Sequence, residues 1–327
     1  MSHLLEVRNL TAGVKKDGKT LNILNGVSFT IDEGETAGLA GESGCGKTMT
    51  ALSIPGLLPQ KVKILDGEII YDGRLLTSLS EKEMCGIRGK EISMIFQDVR
   101  QALNPLMRVG SQITETLELA DNRDRTRNKT LALEMLTSLG FDEPEKIYEA
   151  YPHQLSGGMC QRVMTAIAAI CRPRLLLADE PSSALDLESQ ERILTLLAEM
   201  NHDYKLSALI ISHDLSIIQR FCSRFLIMYA GRIVEEGKAG SLFSPLHPYT
   251  RALIKAIPDK NKRGKKLDNI PGKVSSIEDS FYGCPFAPRC KKVQGICLES
   301  FPPAKETDGG KVHCFFPELP AKGESNG

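Results

Sequence analysis

The sequence predicts an α/β fold in which a parallel-sheet core is preceded by an antiparallel β subdomain, interrupted by an α-helical subdomain and followed by a small cysteine-rich extension. Short apolar runs at residues 36–40, 175–180 and 207–214 are typical of strands buried on both faces of a parallel sheet. The first run ends in a glycine-rich turn that precedes a helical pattern. Four cysteines within the last fifty residues set the end of the chain apart.

The composition indicates an ordinary soluble globular protein. The 327 residues include 41 Lys and Arg and 41 Asp and Glu, so no charge bias points to nucleic acid as a partner. No apolar run approaches the ~20 residues that span a bilayer, and the start "MSHLLEVRNL" lacks the pattern of a signal peptide. We therefore expect a cytoplasmic chain, whose nine cysteines are thiols or metal ligands rather than disulfides.

The remaining elements follow from local patterns. Residues 4–8 and 27–31 alternate apolar and polar side chains, which predicts antiparallel strands joined by the "KKDGK" turn. Spaced Ile, Leu and Met among the charges of residues 112–139 predict a helical insertion. The stretch "FLIMYAGRIVEEG" (225–237) predicts a hairpin with "AG" as its turn. From about Pro258 the sequence becomes polar and basic, which is typical of a linker.

The segment "GESGCGKT" (41–48) fits the pattern G-x-x-x-x-G-K-[ST] between a predicted strand and a predicted helix. Its glycines allow backbone N–H groups to point at phosphate oxygens. The Lys47 ammonium would reach the β- and γ-phosphates, and the Thr48 hydroxyl would bind Mg²⁺. The alternative is a glycine-rich turn that matches by chance. We expect ATP contacts from the whole motif, namely Gly41, Glu42, Ser43, Gly44, Cys45, Gly46, Lys47 and Thr48.

Two acids end the apolar run "LLLADE" (175–180). At the end of a buried strand, Asp179 is expected to hold Mg²⁺, directly or through water. Glu180 is expected to orient or deprotonate the attacking water. If the run stood alone, two solvated acids at a strand end would explain it equally well.

The segment "LSGGM" (155–159) lies between these motifs, and here the sequence resembles the ATP-binding-cassette (ABC) ATPases, whose signature begins LSGG. The motif order is also theirs: phosphate loop, Gln97 in "MIFQD", signature, the two acids, "SALD", and His213 in "ISHD". The resemblance implies the ABC ATPase fold, with a RecA-like core and a helical subdomain at about 98–165. It implies an ATPase domain over residues 1–257 and a linker with the cysteine-rich extension over 258–327.

The resemblance also implies roles for the other motifs. Two cassettes of this family enclose two ATPs, each held by the phosphate loop of one subunit and the signature of the other. Ser156, Gly157 and Gly158 would therefore contact the nucleotide of a partner subunit. His213 resembles the switch histidine that contacts the γ-phosphate. Gln97 resembles the glutamine that senses Mg²⁺ and leads toward a membrane partner.

Two further positions carry implications of the same kind. Asp186 lies in the loop that communicates across the dimer in this family, and its alternative role is to cap the helix that starts near Leu187. The family usually stacks adenine on an aromatic residue of the first hairpin, but Val14 stands about there in this sequence. Without that stacking, ATP binding would be weaker by about 1–3 kcal/mol.

The spacing of the motifs favours a transporter subunit over a soluble cassette ATPase of DNA repair or translation. Repair types have a long coiled coil between the phosphate loop and the signature, whereas only 106 residues separate Thr48 from Leu155 here. Translation types have two cassettes in one chain, and this chain has one.

Three segments resemble the oligopeptide, dipeptide and nickel importer subfamily: "SPLHPYTRALIKAIP" (244–258), "ALNPLMRVG" (102–110) and the cysteine-containing end. The resemblance implies an importer subunit for di- or oligopeptides, with nickel as the alternative cargo. It would pair with a second ATPase subunit, as a heterodimer, beneath two transmembrane permease subunits served by an extracytoplasmic binding protein. Its place would be the cytoplasmic face of the inner membrane.

Cys284, Cys290, Cys297 and Cys314 lack the C-x-x-C pairs of common zinc sites, since five, six and sixteen residues separate them. One interpretation is four unrelated thiols in a disordered tail. The other is a ligand cluster, because a segment rich in Pro and Gly with little apolar matter gains order from bound metal. Four thiolates hold zinc or an iron–sulfur cluster. Resemblance to dipeptide-importer ATPases favours a structural [4Fe-4S] cluster, and His313 keeps zinc as the alternative.

Overall fold

Two β-sheets organise the chain in the computed structural model, which describes residues 3–16, 18–120, 124–182, 185–256, 270–272, 282–307 and 310–318. In chain order, the strands are β1 (Leu5–Lys16), β2 (Lys19–Ile31), β3 (Thr36–Ala40), β4 (Val62–Tyr71), β5 (Arg74–Leu75), β6 (Ile92–Ile95), β7 (Leu175–Asp179), β8 (Ser207–Ile211), β9 (Arg224–Tyr229), β10 (Arg232–Lys238), β11 (Lys305–Thr307) and β12 (Gly310–Val312). The helices are α1 (Lys47–Ser53), α2 (Glu81–Cys85), α3 (Val99–Ala102), α4 (Val109–Leu119), α5 (Arg125–Ser138), α6 (Pro144–Glu149), α7 (Gly157–Ala169), α8 (Leu187–Tyr204), α9 (Leu215–Phe221), α10 (Pro248–Lys255) and α11 (Gly295–Glu299).

The larger sheet has the strand order β11-β12-β10-β9-β3-β8-β7-β6, and its strands from β9 to β6 run parallel. The three apolar runs therefore form strands of one parallel sheet, as predicted, and the structure shows that these strands are neighbours. Alternate residues of β7 enter two different hydrophobic clusters, Leu176 and Ala178 in one, Leu175 and Leu177 in the other. Both faces of the sheet are thus covered, which explains why these strands are apolar at every position.

The smaller sheet is antiparallel, with the order β2-β1-β4-β5. The predicted strands at 4–8 and 27–31 pair as expected, although β1 and β2 extend further toward their turn, where Gly18 has φ +73°. The β1 side chains of Leu5 and Val7 join the cluster that contains Leu177. This antiparallel unit therefore covers one face of the larger sheet.

Helices cover the opposite face. The predicted insertion at 112–139 consists of two helices, α4 and α5, which begin and end close to these limits. Ile113 of α4 and Leu136 of α5 are fully buried in the cluster that contains Leu176 and Ala178. The predicted hairpin at 225–237 is confirmed as β9 and β10, joined through Ala230 and Gly231, which both have positive φ.

The cysteine-containing segment 282–318 is not a separate appendage in the part of the chain that the structure describes. Strand β12 pairs with β10, so the segment extends the larger sheet. Its side chains Cys284, Phe286 and Cys297 belong to the hydrophobic cluster of the central sheet. The expectation of little apolar matter for a core was wrong, because these side chains pack against the rest of the protein rather than against one another. The linker lies mostly outside the described residues, and the boundary at 257/258 remains a prediction.

None of the helices in the described part of the chain is both long enough and apolar enough to cross a bilayer.

Candidate nucleotide-binding site

The predicted phosphate loop connects β3 to α1, as its sequence context indicated. Gly46 precedes α1 with φ +111°, and a Cβ there would lie 2.9 Å from the Leu24 side chain. At Gly41 a Cβ would lie 2.2 Å from the carbonyl oxygen of Met228 on β9. Both positions therefore exclude any larger residue, and the loop passes closely over the edge of the sheet.

A cleft of about 450 Å³ opens beside this loop, within the range of ~300–1,000 Å³ that small-molecule sites occupy. It brings together nine residues that the sequence assigned to ATP binding or hydrolysis: Ser43, Gly44, Gly46, Lys47, Thr48, Gln97, Asp179, Glu180 and His213. The rest of its lining is Ile23 and Met49.

Lys47 is the first residue of α1, and its side chain lies over the loop. Its Nζ donates hydrogen bonds to the carbonyl oxygens of Gly41 at 2.8 Å and Glu42 at 3.0 Å. The ammonium is thereby held at the mouth of the loop, where an anionic group in the cleft would meet it.

Asp179 ends β7 and is only 1% exposed. Burial raises the pKa of its carboxyl, and the nearby Thr48 hydroxyl lowers that pKa to a smaller extent. Among the described residues, neither carboxylate oxygen receives a hydrogen bond of ordinary geometry. Buried carboxylates so poorly supplied with hydrogen bonds are rare in folded proteins, and a bound cation is one arrangement that would satisfy this one. Together with the Thr48 hydroxyl, it provides oxygen ligands of the kind that Mg²⁺ prefers.

Glu180 follows with φ +52°, a strained backbone conformation for a residue with a side chain. Its carboxylate accepts a hydrogen bond from the backbone N–H of His213 at 3.0 Å, and the Nδ1 atom of the His213 ring lies 2.8 Å away. The His213 side chain is 72% exposed, whereas that of Glu180 is 11% exposed. The carboxylate is therefore held rigidly at the wall of the cleft, with the imidazole between it and solvent.

Three residues of the phosphate-loop motif do not line the cleft. Gly41 packs against β9, Cys45 is buried beneath the loop, and Glu42 faces the C-terminal segment. Val14 does not line the cleft either, whereas Ile23 of β2 does. The apolar side chains of the cleft are therefore Ile23 on β2 and Met49 on α1, rather than the one at the position that the family pattern indicated.

The signature residues Ser156, Gly157 and Gly158 do not line this cleft. Ser156 caps α7, where its hydroxyl oxygen accepts a hydrogen bond from the Met159 N–H at 3.2 Å. Ser156 is exposed and Gly157 and Gly158 are half-buried, so these three residues are accessible to a group from outside the chain.

Asp186 also lies away from the cleft. It caps α8 by accepting a hydrogen bond from the Ser189 N–H at 2.9 Å, so the capping role considered for it is confirmed. The preceding residues of its motif, Ser183 and Ala184, lie outside the described part of the chain.

Sequence reasoning missed two residues that hold the phosphate loop from outside. The hydroxyl oxygen of Tyr249 accepts a hydrogen bond from the Glu42 N–H at 2.8 Å. The Arg289 guanidinium donates to both carboxylate oxygens of Glu42, at 2.6 and 3.0 Å. These partners are 207 and 247 positions from Glu42, and no local pattern signals contacts over such distances.

The segment that carries Tyr249 forms helix α10. His247 caps this helix by accepting a hydrogen bond from the Tyr249 N–H at 3.0 Å, and Pro248 is the first helical residue. Burial lowers the pKa of His247 to about 3, so its ring is neutral at physiological pH.

The four C-terminal cysteines line one small cavity of about 20 Å³, together with His247, Phe286 and Phe315. All four are free thiols, and burial raises the pKa of Cys284 to about 11. His313 is not part of this lining, because its ring stacks on Phe301 and its Nδ1 lies 3.1 Å from the carbonyl oxygen of Pro302.

The placement of these thiols does not meet the geometry of a metal site. No group of three or more His, Cys, Asp or Glu side chains in the described residues is arranged to hold a metal ion. A cavity of this size has room for about one water molecule. Four cysteines are suitable ligands for a thiolate-bound metal, but the positions of their side chains in this structure do not form such a site.

Two protein families match the chain. The family described as ABC transporter matches residues 24–183. The family described as oligopeptide/dipeptide transporter, C-terminal region, matches residues 234–297.

Named relatives cover almost the whole chain. The probable peptide ABC transporter ATP-binding protein y4tR of Sinorhizobium fredii is 43% identical over 310 residues, which are 94% of this chain and 92% of that protein. The oligopeptide transport ATP-binding protein AppD of Bacillus subtilis is 42% identical over 321 residues, 97% of this chain and 98% of that protein. The dipeptide transport ATP-binding protein DppD of the same species is 39% identical, over 98% and 97%.

The fold of this chain is also similar to that of solved ATP-binding cassettes. A dimeric post-hydrolysis state of the ATP-binding cassette MJ0796 bound to ADP and Pi superposes with a TM-score of 0.66 at 28% identity. The match covers 72% of this chain and 98% of that chain. The predicted α/β cassette fold is thus confirmed.

Proposed function

This chain belongs to the ATP-binding proteins of ABC transporters, an ATPase family, and we propose that it is the energy-coupling subunit of an importer for di- and oligopeptides. The peptide assignment is supported by the names of the relatives, which describe transport of peptides, oligopeptides or dipeptides at 39–43% identity over nearly the full chain. It is also supported by the oligopeptide/dipeptide-type C-terminal region at residues 234–297. Nickel, the alternative cargo, has no such support here.

The observation that carries the ATPase mechanism is the cleft that unites Lys47, Asp179, Glu180 and His213. Lys47 would bind the terminal phosphates and balance their charge. Glu180 would orient a water molecule for attack on the γ-phosphorus and accept its proton at the carboxylate. As the new P–O bond forms, the bond to the β-phosphate oxygen breaks, and ADP leaves with the electron pair of that bond.

The environment of Glu180 suits this role. The backbone N–H of His213 and its ring restrict the carboxylate to one orientation, so the attacking water would meet a pre-positioned base. Gln97, another lining residue of the cleft, would contact the same phosphates or their cation. Mg²⁺, for which Thr48 and Asp179 provide the ligands, would supply charge neutralisation of the phosphates when bound.

A second ATPase subunit would complete the site. Ser156 is exposed, and neither it nor Gly157 or Gly158 lines the chain's own cleft, so the signature is available to a nucleotide held by another cassette. We propose a dimer with a related ATPase chain, as a heterodimer, in which each signature closes the partner's cleft.

A groove of about 450 Å³ separates the core from the helical part of the chain, and we propose it as the docking site for a permease subunit. Its lining includes the apolar side chains of Leu57, Phe96 and Leu119, and Leu119 is 81% exposed. Phe96 directly precedes Gln97 of the ATP cleft, which gives a covalent connection between the two sites. Attachment through two such permease subunits would place the chain peripherally at the cytoplasmic face of the inner membrane, with the extracytoplasmic binding protein as an indirect partner.

A structural [4Fe-4S] cluster on Cys284, Cys290, Cys297 and Cys314, with zinc as the alternative, belongs to this proposal as well. Convergence of the four thiols on one buried cavity supports it. The small volume of that cavity means that loading would require the thiols to move apart. We assign no catalytic step to the group.

The function is tested by reconstituting the chain with its permease subunits and binding protein in proteoliposomes. We expect that a binding protein loaded with a di- or oligopeptide stimulates ATP hydrolysis and drives peptide uptake. Stimulation by a nickel chelate, without stimulation by any peptide, would overturn the peptide assignment. The Glu180→Gln variant serves as the control for uptake that does not depend on this subunit.

A further inference from the structure

We infer that Arg289, in the C-terminal segment, is a positioning residue of the ATP site, which neutralises Glu42 and thereby keeps the phosphate loop receptive to ATP. The inference rests on the proposed assignment of the phosphate loop and is independent of the transported cargo.

The guanidinium of Arg289 is buried, with its side chain 4% exposed, and all three of its nitrogens donate hydrogen bonds. Two of them form a forked ion pair with the Glu42 carboxylate. The third donates to the carbonyl oxygen of Pro271 at 2.9 Å, and a further contact reaches the Tyr229 hydroxyl at 3.3 Å. The arginine is therefore fixed from several sides and aimed at one acid of the loop.

Glu42 brings a negative charge to the loop that would receive the phosphates. Its backbone carbonyl accepts a hydrogen bond from the Lys47 ammonium, so the acid lies within the same small network as the phosphate-binding lysine. An uncompensated carboxylate there would repel the polyphosphate in surroundings of low dielectric constant. Arg289 cancels that charge at contact distance.

The same contacts make the C-terminal segment part of the ATP site. The Tyr249 hydroxyl oxygen accepts a hydrogen bond from the Glu42 N–H, and the Arg289 guanidinium binds the Glu42 carboxylate. Both the backbone and the side chain of Glu42 are therefore fixed from outside the loop. Arg289 is followed directly by Cys290, a lining residue of the four-cysteine cavity. The segment thus contacts the phosphate loop through a residue adjacent to that cavity.

The test compares ATP affinities of full-length variants by equilibrium binding, with ATPase kinetics as the second measurement. Arg289→Met keeps the buried stem but removes the charge, and we expect the Kd for ATP to rise about tenfold. The KM for ATP should rise by a similar factor, while kcat at saturating ATP changes less than about twofold. Adding Glu42→Gln to Arg289→Met removes the repulsion and should return the Kd to within about threefold of wild type.

Arg251→Ala is the matched control, since it removes an ion pair with Glu318 in the same segment without touching the loop. The inference is overturned if Arg289→Met binds ATP as tightly as this control, or if Glu42→Gln restores nothing. Arg289→Gln gives the same comparison where Arg289→Met does not fold. Lys47→Ala should lose ATP binding, and its failure to do so would refute the phosphate-loop assignment instead.

Discussion

The Nδ1 atom of His213 lies 2.8 Å from one carboxylate oxygen of Glu180, and the backbone N–H of His213 donates to the other oxygen at 3.0 Å. Residues from the ends of two adjacent parallel strands, β7 and β8, therefore form one unit at the wall of the cleft. Both oxygens of the carboxylate are therefore in contact with His213, which fixes the orientation of the carboxylate at this wall.

Glu180→Gln should bind ATP with near wild-type affinity and hydrolyse it at least about a hundredfold more slowly, because an amide cannot accept the proton of the attacking water. The ATP-bound dimer should accumulate and be visible by size-exclusion chromatography. Glu188→Gln, an exposed acid on α8, is the control and should keep normal turnover. Wild-type turnover in Glu180→Gln would show that another group acts as the base.

Ser156→Arg should abolish hydrolysis at the site completed by this signature and leave this chain's own ATP binding intact. The reason is that a bulky cation at the exposed start of α7 blocks closure over a partner's nucleotide, while the chain's own cleft lies elsewhere. Equilibrium binding of ATP to the isolated variant tests whether the chain's own ATP binding is intact. A loss of affinity there would contradict a signature that acts across the dimer.

Leu119→Glu should prevent copurification with the permease subunits, because it places a charge in the apolar groove proposed for their docking. ATP binding by the isolated subunit should stay unchanged. Leu298→Glu alters another exposed leucine, on α11, and should retain the complex. If Leu119→Glu also copurified, the groove would not be the docking site.

His247 should make the protein less stable in acid. Its folded pKa of about 3 lies below the ordinary 6.5, so its contribution to stability is complete above pH 6.5 and is lost progressively as the pH falls toward 3. Near pH 5 the loss amounts to about 2 kcal/mol. His247→Asn keeps a capping oxygen for the Tyr249 N–H and removes the titrating ring.

Chemical unfolding of both proteins at pH 7 and pH 5 measures this effect, because other titrating groups cancel in the comparison. Wild type should lose about 2 kcal/mol more than His247→Asn over that interval. An equal loss in the two proteins would mean that the buried ring does not stay neutral in the folded state.

Anaerobically purified protein should be brown, with broad absorbance near about 400 nm and with iron and sulfide in cluster stoichiometry, if the four cysteines hold a cluster. Cys284→Ser, which alters a buried lining residue, should reduce the iron content, whereas Cys85→Ser, at an exposed position on α2, should not. Colourless protein with one zinc and no iron would show that the cysteines bind zinc instead of a cluster. Metal-free protein with an ordered C-terminal segment would exclude both.

Elements with a local signature were predictable from the sequence. The phosphate loop follows the buried strand β3 and precedes a helix, and Asp179 and Glu180 lie at the end of the buried strand β7. Because the two strands belong to one parallel sheet, the loop and the two acids lie at the same edge of that sheet. The turn at Ala230 and Gly231 was also predictable from the sequence, because a turn with positive φ favours only a few residue types. The apolar part of the cleft was not predictable in this way, since which of Val14 and Ile23 lines the cleft depends on the twist and register of β1 and β2.

The sequence by itself determined the family, the ATP-binding motifs and the order of the elements, because each of these is encoded within a few consecutive residues. Only the tertiary structure decided that segment 282–318 joins the larger sheet and that Arg289 neutralises Glu42 in the phosphate loop. The physical reason is that pairing at a sheet edge and a buried ion pair depend on how distant parts of the chain meet. The sequence around Arg289 does not indicate whether its guanidinium faces solvent or binds a carboxylate 247 positions away.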